Sequence, residues 1–257
     1  MILDEIVAYK KVEVAERMRR RAPSDVAAAA ERAPERPDFR AALRRPGCAV
    51  IAEIKGSSPS AGTIRDGFDA VGVARAYEAG GAAALSVLTD AKYFHGSWES
   101  LASVARAVRL PVLCKEFVID PYQVDEARAA GAAAVLLIAS LLEGSLRPYL
   151  RQAERRGLAA LVEVHTPDEV ALALDAGADM IGINNRDLRT LRVDLGTTAR
   201  LRPLIPPGVL VVSESGFERR EQVEQVERIG VDAILVGTSL MASGDPAAKL
   251  RELKGAS

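Results

Sequence analysis

From Gly47 onward the chain repeats one unit: a short Val/Ile/Leu/Ala run, a loop, an amphipathic helix, and a glycine that restarts the cycle. Gly80-Gly81, Gly131, Gly177 and Gly230 stand where a helix ends on a left-handed residue, and each leads straight into an apolar run. Helix starts are marked as clearly. Asp120-Pro121 and Asp245-Pro246 each put an N-cap before a proline at the first helical position, and Thr166-Pro167-Asp168-Glu169 has the spacing of a capping box. Counting the apolar runs predicts eight strands, at 50–55, 83–89, 112–116, 133–138, 160–164, 180–184, 209–213 and 233–236. Mostly apolar strands alternating with helices read as a parallel sheet. Eight such units in 257 residues predict an α/β fold closed as a (β/α)8 TIM barrel rather than an open doubly wound sheet. The dinucleotide signature GxGxxG is absent after the first strand, which also weighs against a Rossmann fold.

Before the repeat begins, Ile2, Leu3, Ile6, Val7, Val14 and Met18 follow helical spacing. Asp4 and Glu5 lie near the start of that helix, and Arg17, Arg19, Arg20 and Arg21 lie at its end, as the helix dipole prefers. Residues 22–46, rich in Ala, Arg and Pro, predict short helices and turns without chemistry of their own. Residues 1–48 are therefore expected to be a helical extension packed on a barrel of residues 49–257, the whole forming one domain.

A formal net charge of -1 gives no electrostatic bias toward nucleic acid or a membrane surface. No apolar run approaches the roughly 20 residues that span a bilayer, and the N-terminus lacks a signal-peptide core, so a cytoplasmic location is expected. Cys48, Cys114, His95 and His165 fall in no metal-ligand spacing, and two cysteines cannot build a disulfide framework. Free thiols, no metal and no cofactor are expected, and a monomer rather than an oligomer. Both histidines read as loop residues without a role.

Of the 34 cationic side chains only seven are lysine. Arginine is what this chain uses for plain positive charge, whereas a lysine can be tuned to act as an acid. Lys55 and Lys115 both lie in strand-like windows. In a barrel the catalytic groups belong at the C-terminal strand ends. There the first strand carries Glu53 and Lys55, the third Lys115, the fifth Glu163, the sixth Asn184 and the seventh Glu214 and Ser215. Side chains alternate along a strand, so Glu53 and Lys55 share a face with Ile51, Lys115 with Leu113, and Glu163 with Leu161. Each ionisable group can point into the mouth, while Cys114 faces the helices and packs. The loops after the last two strands, Ser213-Glu214-Ser215-Gly216 and Val236-Gly237-Thr238-Ser239, carry small residues suited to a phosphate, in the usual phosphate position of such barrels.

The stretches AEIKGSSPSAG, VLTDAKYFHG, VLCKEF, LVEVH, IGINNRDL, VSESG and LVGTSLM resemble, in order, the motifs of the indole-3-glycerol phosphate synthase family of tryptophan biosynthesis. The resemblance covers nearly the whole chain and includes the N-terminal extension. It implies a carboxy-lyase that closes the ring of 1-(2-carboxyphenylamino)-1-deoxyribulose 5-phosphate, losing carbon dioxide and water to give indole-3-glycerol phosphate. Lys115 matches the family's acid and Glu163 its base, with Glu53 and Glu163 holding Lys115 protonated. Lys55 would bind the substrate carboxylate or be the acid for dehydration. By the same carry-over Asn184 and Ser215 would bond the ribulose hydroxyls, and Arg186 and Glu214 would orient the polar cluster. Ser58, Gly216, Gly237 and Thr238 would hold the phosphate, and Phe94 and Phe117 would flank the aromatic ring. Many members carry a further lysine where this chain has Gly56-Ser57 and Ser60-Ala61-Gly62. The loop from Gly56 to Gly62 is long and glycine-rich enough to act as a lid. Two other readings stay open: a sugar-phosphate isomerase on the same scaffold, and a non-catalytic barrel that binds a phosphorylated metabolite.

Overall fold

The computed structural model describes residues 2–58, 62–63, 69–187 and 190–255. Eight parallel strands form a closed barrel: β1 (Ala49–Ile54), β2 (Ala84–Leu88), β3 (Val112–Lys115), β4 (Ala134–Ile138), β5 (Ala159–Val164), β6 (Met180–Asn184), β7 (Leu210–Glu214) and β8 (Ala233–Val236). Each strand pairs with its sequence neighbours, and β1 pairs with β8 from Ala49↔Ala233 to Ala52↔Val236, which shuts the ring. Every strand end lies within one residue of the position expected from the apolar runs. The glycine stops work as read: Gly81, Gly131, Gly177 and Gly230 have φ between 80° and 92°, a left-handed backbone that side chains resist.

Alternation along the strands sorts the apolar residues into two layers. Ala49, Ile51, Leu113, Leu136, Leu161, Met180, Val212 and Leu235 fill the barrel interior. Val50, Ala52, Val87, Cys114, Val135, Val162, Ile181 and Ile234 face outward and bury the apolar stripes of the surrounding helices. Cys48 and Cys114 are free and buried, and burial raises both thiols, Cys48 to about 12 and Cys114 further. Neither thiol is therefore expected to react with Ellman's reagent in the folded protein, and both should titrate once it is unfolded in urea. Rapid labelling of the native chain would contradict this packing.

Three helices precede the barrel: α1 (Ile2–Arg20), α2 (Pro23–Arg32) and α3 (Phe39–Leu43). Ile6 of α1 joins the interior cluster together with Phe117, and Leu3, Tyr93 and Phe94 pack beside it, so α1 lies over one side of the mouth. Val26 of α2 packs with Val14 and with Tyr122 of the helix Pro121–Ala129 on the outside of the barrel. Phe39 and Leu43 of α3 join the interior cluster, which includes the strand-start residues Ala49, Ala83, Ala133 and Ala159. The segment thus runs from the mouth, down one flank, to the opposite end.

Lys10 fixes α1 in place. Its side chain is fully buried, and its Nζ lies 2.8 Å from Glu13, 2.8 Å from Asp90 and 3.0 Å from Glu116. Asp90 caps the short helix Ala91–Phe94 by accepting the Tyr93 N–H, and Glu116 accepts the Phe117 N–H at 2.7 Å and the Thr89 hydroxyl at 2.9 Å. One lysine of the extension thereby ties together the two loops that carry Phe94 and Phe117. Among the described residues no helix is long and apolar enough to cross a membrane.

Candidate active site

The C-terminal mouth opens into a cavity of about 560 Å³. Every residue that the sequence assigns a role in the site lines it, except Ser58, whose side chain lies outside the described residues; Ser213 of the candidate phosphate loop does not line it. The central part of the loop 56–62 lies outside them as well.

Parity carries the charges inward. Lys55 follows β1 directly, and its Nζ sits 2.7 Å from Glu53 Oε1. Lys115 ends β3, with its Nζ 2.9 Å from Glu163 Oε2 on β5 and 2.5 Å from Glu214 Oε2 on β7. The second carboxylate in contact with Lys115 is Glu214; Glu53 pairs directly with Lys55 and acts on Lys115 through its field. Three carboxylates and two ammonium groups share one buried space, and they do not titrate alike. Burial raises Glu214, and with Glu163 and Glu53 close by the attraction of Lys115 does not cancel it. Burial opposes ionisation of Glu163 too, yet Lys115 and then His165 outweigh it and hold that carboxyl low. Glu53 is likewise held low against burial, chiefly by Lys55 and Lys115. Lys115 is pushed up, because Glu163, Glu214 and Glu53 together outweigh its burial. The site thus presents a fully protonated lysine, an ionised Glu163 beside it, and in Glu214 a carboxyl able to keep a proton near neutrality.

Two glycines make room for this cluster. A Cβ on Gly182 of β6 would stand 2.2 Å from Glu214 Oε1, and one on Gly237 would stand 2.5 Å from Glu53 Oε1 and 3.0 Å from Lys55 Nζ. Gly182 was not among the expected site residues. Its signal was a lone glycine inside an apolar strand, which marks close approach of another group.

The remaining residues form the rim. Asn184 accepts the Arg186 N–H at 3.0 Å, and the Arg186 guanidinium donates to the Leu191 carbonyl at 2.9 Å. Phe94 and Phe117 stand with ring centroids 5.9 Å apart and form an aromatic wall. Ser215 and Gly216 have φ of 69° and 94°, so the backbone after β7 turns through two successive left-handed residues. Ser213, read from sequence as part of that loop, faces outward instead and bonds Asn185 and Thr198. Gly237, Thr238 and Ser239 of the last loop all line the cavity, and Ser239 donates to the Phe217 carbonyl at 2.7 Å.

His165 is a loop residue, as expected, but it faces the site. It lies just beyond β5, in the parity of Glu163, with Nε2 3.5 Å from Glu163 Oε1. Glu169 does not complete the expected capping box: Thr166 accepts the Glu169 N–H at 3.2 Å, but the Glu169 carboxylate reaches one residue further back, to the His165 N–H at 2.7 Å. Among the described residues no cluster of His, Cys, Asp and Glu is arranged to hold a metal ion.

A closed barrel with a buried lysine between carboxylates at its catalytic rim, next to an aromatic wall, defines an acid–base barrel enzyme. The family model for indole-3-glycerol phosphate synthase matches residues 3–253, and the chain belongs to that family. It is 47% identical over 253 residues to the indole-3-glycerol phosphate synthase of Mycobacterium avium, covering 98% of this chain and 93% of the relative. It is 43% identical over 246 residues to that of Lacticaseibacillus paracasei, covering 95% of each. Among solved structures, 3-hexulose-6-phosphate synthase from Salmonella typhimurium has the same fold, with a TM-score of 0.66 at 15% identity over 80% of this chain and 97% of that one.

Proposed function

We propose that this barrel closes the indole ring, converting 1-(2-carboxyphenylamino)-1-deoxyribulose 5-phosphate to indole-3-glycerol phosphate, carbon dioxide and water, with Lys115 as acid and Glu163 as base. The observation that carries the assignment of roles is the Lys115 ammonium, 2.9 Å from Glu163 and 2.5 Å from Glu214 at the centre of the mouth. As the aryl carbon attacks the ketone, an alkoxide develops; it is a stronger base than lysine, so a proton passes from Lys115 even though its carboxylate neighbours raise it. Carbon dioxide then leaves, and its bonding electrons restore the aromatic ring. In the dehydration a second proton leaves with the hydroxyl, from Lys55 or Lys115, while Glu163 takes one from the substrate. Two protons go in and one comes out, so each turnover draws one proton from solvent.

Phe94 and Phe117 offer the aryl ring an apolar wall. Lys55 faces the substrate carboxylate, Asn184 and Ser215 the ribulose hydroxyls, and Arg186 supports that side of the rim. Ser58, Gly216, Gly237 and Thr238 hold the phosphate, in loops where such barrels place it. An isomerase would use a carboxylic acid/base pair without a lysine at its centre. The protein acts as a cytoplasmic monomer on this small substrate, without nucleic-acid or membrane partners.

The test is to mix the purified chain with the carboxyphenylamino-deoxyribulose phosphate, adding no metal or cofactor, and follow indole fluorescence. Signal growing with time at a rate proportional to enzyme is expected. A chain that binds the substrate and stays dark would point to the non-catalytic barrel.

A further inference from the structure

His165 has no part in the chemistry above, yet its ring stands between two carboxylates. Nδ1 lies 3.2 Å from Glu169 Oε2, an oxygen already accepting the His165 backbone N–H, and Nε2 lies 3.5 Å from Glu163 Oε1 without a hydrogen-bond partner. The ring is largely buried, with 14% of its side chain exposed. A neutral imidazole has one N–H and one lone pair. Either tautomer would turn its lone pair toward a carboxylate oxygen; only the doubly protonated ring can donate to both sides. Glu163 completes the pattern, because Lys115 takes its Oε2 while Oε1 faces His165, with Asn184 also hydrogen-bonding this carboxylate.

We propose that His165 is a positioning residue for Glu163: as an imidazolium clamped by Glu169, it holds the carboxylate oxygen that Lys115 leaves free and keeps the base ionised and aimed into the mouth. This rests on Glu163 being the base. The surroundings favour the cation. Glu163 comes from β5, Glu169 from the helix Pro167–Ala176, and Glu214 from β7 adds its field from further off. The turn Ala139–Leu141, between β4 and the next helix, has no titratable residue, while β6 brings the neutral Asn184, and the charge of Arg186 is felt by Glu53. Burial lowers the imidazole, but Glu169 and Glu163 outweigh it, so it titrates above its ordinary range. The sign follows. The clamp is complete below the ordinary histidine range and is lost as pH rises through the raised value.

The chain contains only two histidines, so NMR titration of their ring Cε1–H groups separates His165 from His95, with His165→Gln giving the assignment. His165 is expected to titrate above about 6.5, the ordinary histidine value, and Glu169→Gln to move it down. In kinetics, wild-type kcat is expected to fall on the alkaline side with the ionisation seen by NMR. In His165→Gln that limb should vanish, and the acid limb, set by protonation of Glu163, should move up by about one pH unit. At neutral pH this variant should lose roughly 10- to 100-fold in kcat with little change in KM. A purely structural histidine would lower Tm and leave the limbs where they are; unchanged limbs, or a His165 titrating at or below its ordinary value, would overturn the proposal. Should His165→Gln fail to fold, Glu169→Gln, which keeps the ring, must shift the alkaline limb downward, and no shift overturns it equally. Failure of the wild-type chain to form indole would instead remove Glu163 as base, and the positioning role with it, while the NMR titration still reports whether the ring is clamped.

Discussion

Lys115→Met is expected to lower kcat by about 10³- to 10⁴-fold while the affinity for substrate changes far less. Removing the acid leaves the developing alkoxide without a proton donor, and general acid catalysis accounts for roughly 10²–10⁴ of such a rate. A further loss comes from the carboxylates. Glu163 and Glu214, 2.9 and 2.5 Å from the lost ammonium, would face each other without it, and burial would drive both toward the neutral acid. Glu163 then ceases to be a base at neutral pH, so the residual activity should have its acid limb at higher pH than wild type. Lys115→Arg separates the two effects, since a guanidinium keeps the charge but does not give up its proton. Ring closure by the arginine variant within tenfold of wild type would show that charge, not proton donation, is what position 115 supplies.

Lys10→Met should cost roughly 3–5 kcal/mol of stability, because it strands the buried carboxylates that its ammonium neutralises. Asp90 and Glu116 have fully buried side chains at 2.8 and 3.0 Å from Lys10. Burial raises Glu116 even with Lys10 present, and without the lysine it must rise further. A carboxyl raised in the folded state favours folding at low pH and loses that contribution as pH climbs through its folded value. The variant's deficit in urea denaturation should accordingly be larger at pH 8 than at pH 5, and adding Glu116→Gln should recover part of it at pH 8. Equal deficits at both pH values would mean that Lys10 acts by packing its methylenes rather than by neutralising acids.

Periodicity made the barrel legible. A parallel strand buried on both faces must be apolar, so a Glu or Lys at its last inward position stands out, and the parity of Glu53, Lys55, Lys115 and Glu163 follows from the strand alone. What parity does not give is distance across the barrel. Lys115 meets Glu214 rather than Glu53, and that choice depends on tilt and side-chain length around a closed ring. His165 shares the parity of Glu163 just as Lys55 shares that of Glu53, but a histidine beyond a strand end also fits an ordinary loop. Lys10 left a trace as well: it falls between Ile6 and Val14 at steps of four, in the middle of an apolar helix stripe. Its acidic partners in later loops could not be found by any local pattern.

The seam between β1 and β8 gives the order of synthesis a physical meaning. The first strand made finds its ring-closing neighbour only when Ala233–Val236 leaves the ribosome, and Arg17 waits 109 residues for Glu126. At roughly 5–20 residues per second, a nascent chain spends about ten seconds or more with β1 lacking the partner that seals it. During that time it presents an unpaired apolar edge of the kind that invites association with other chains. A message cut short before the eighth strand would therefore yield an open sheet prone to aggregate, not a smaller barrel.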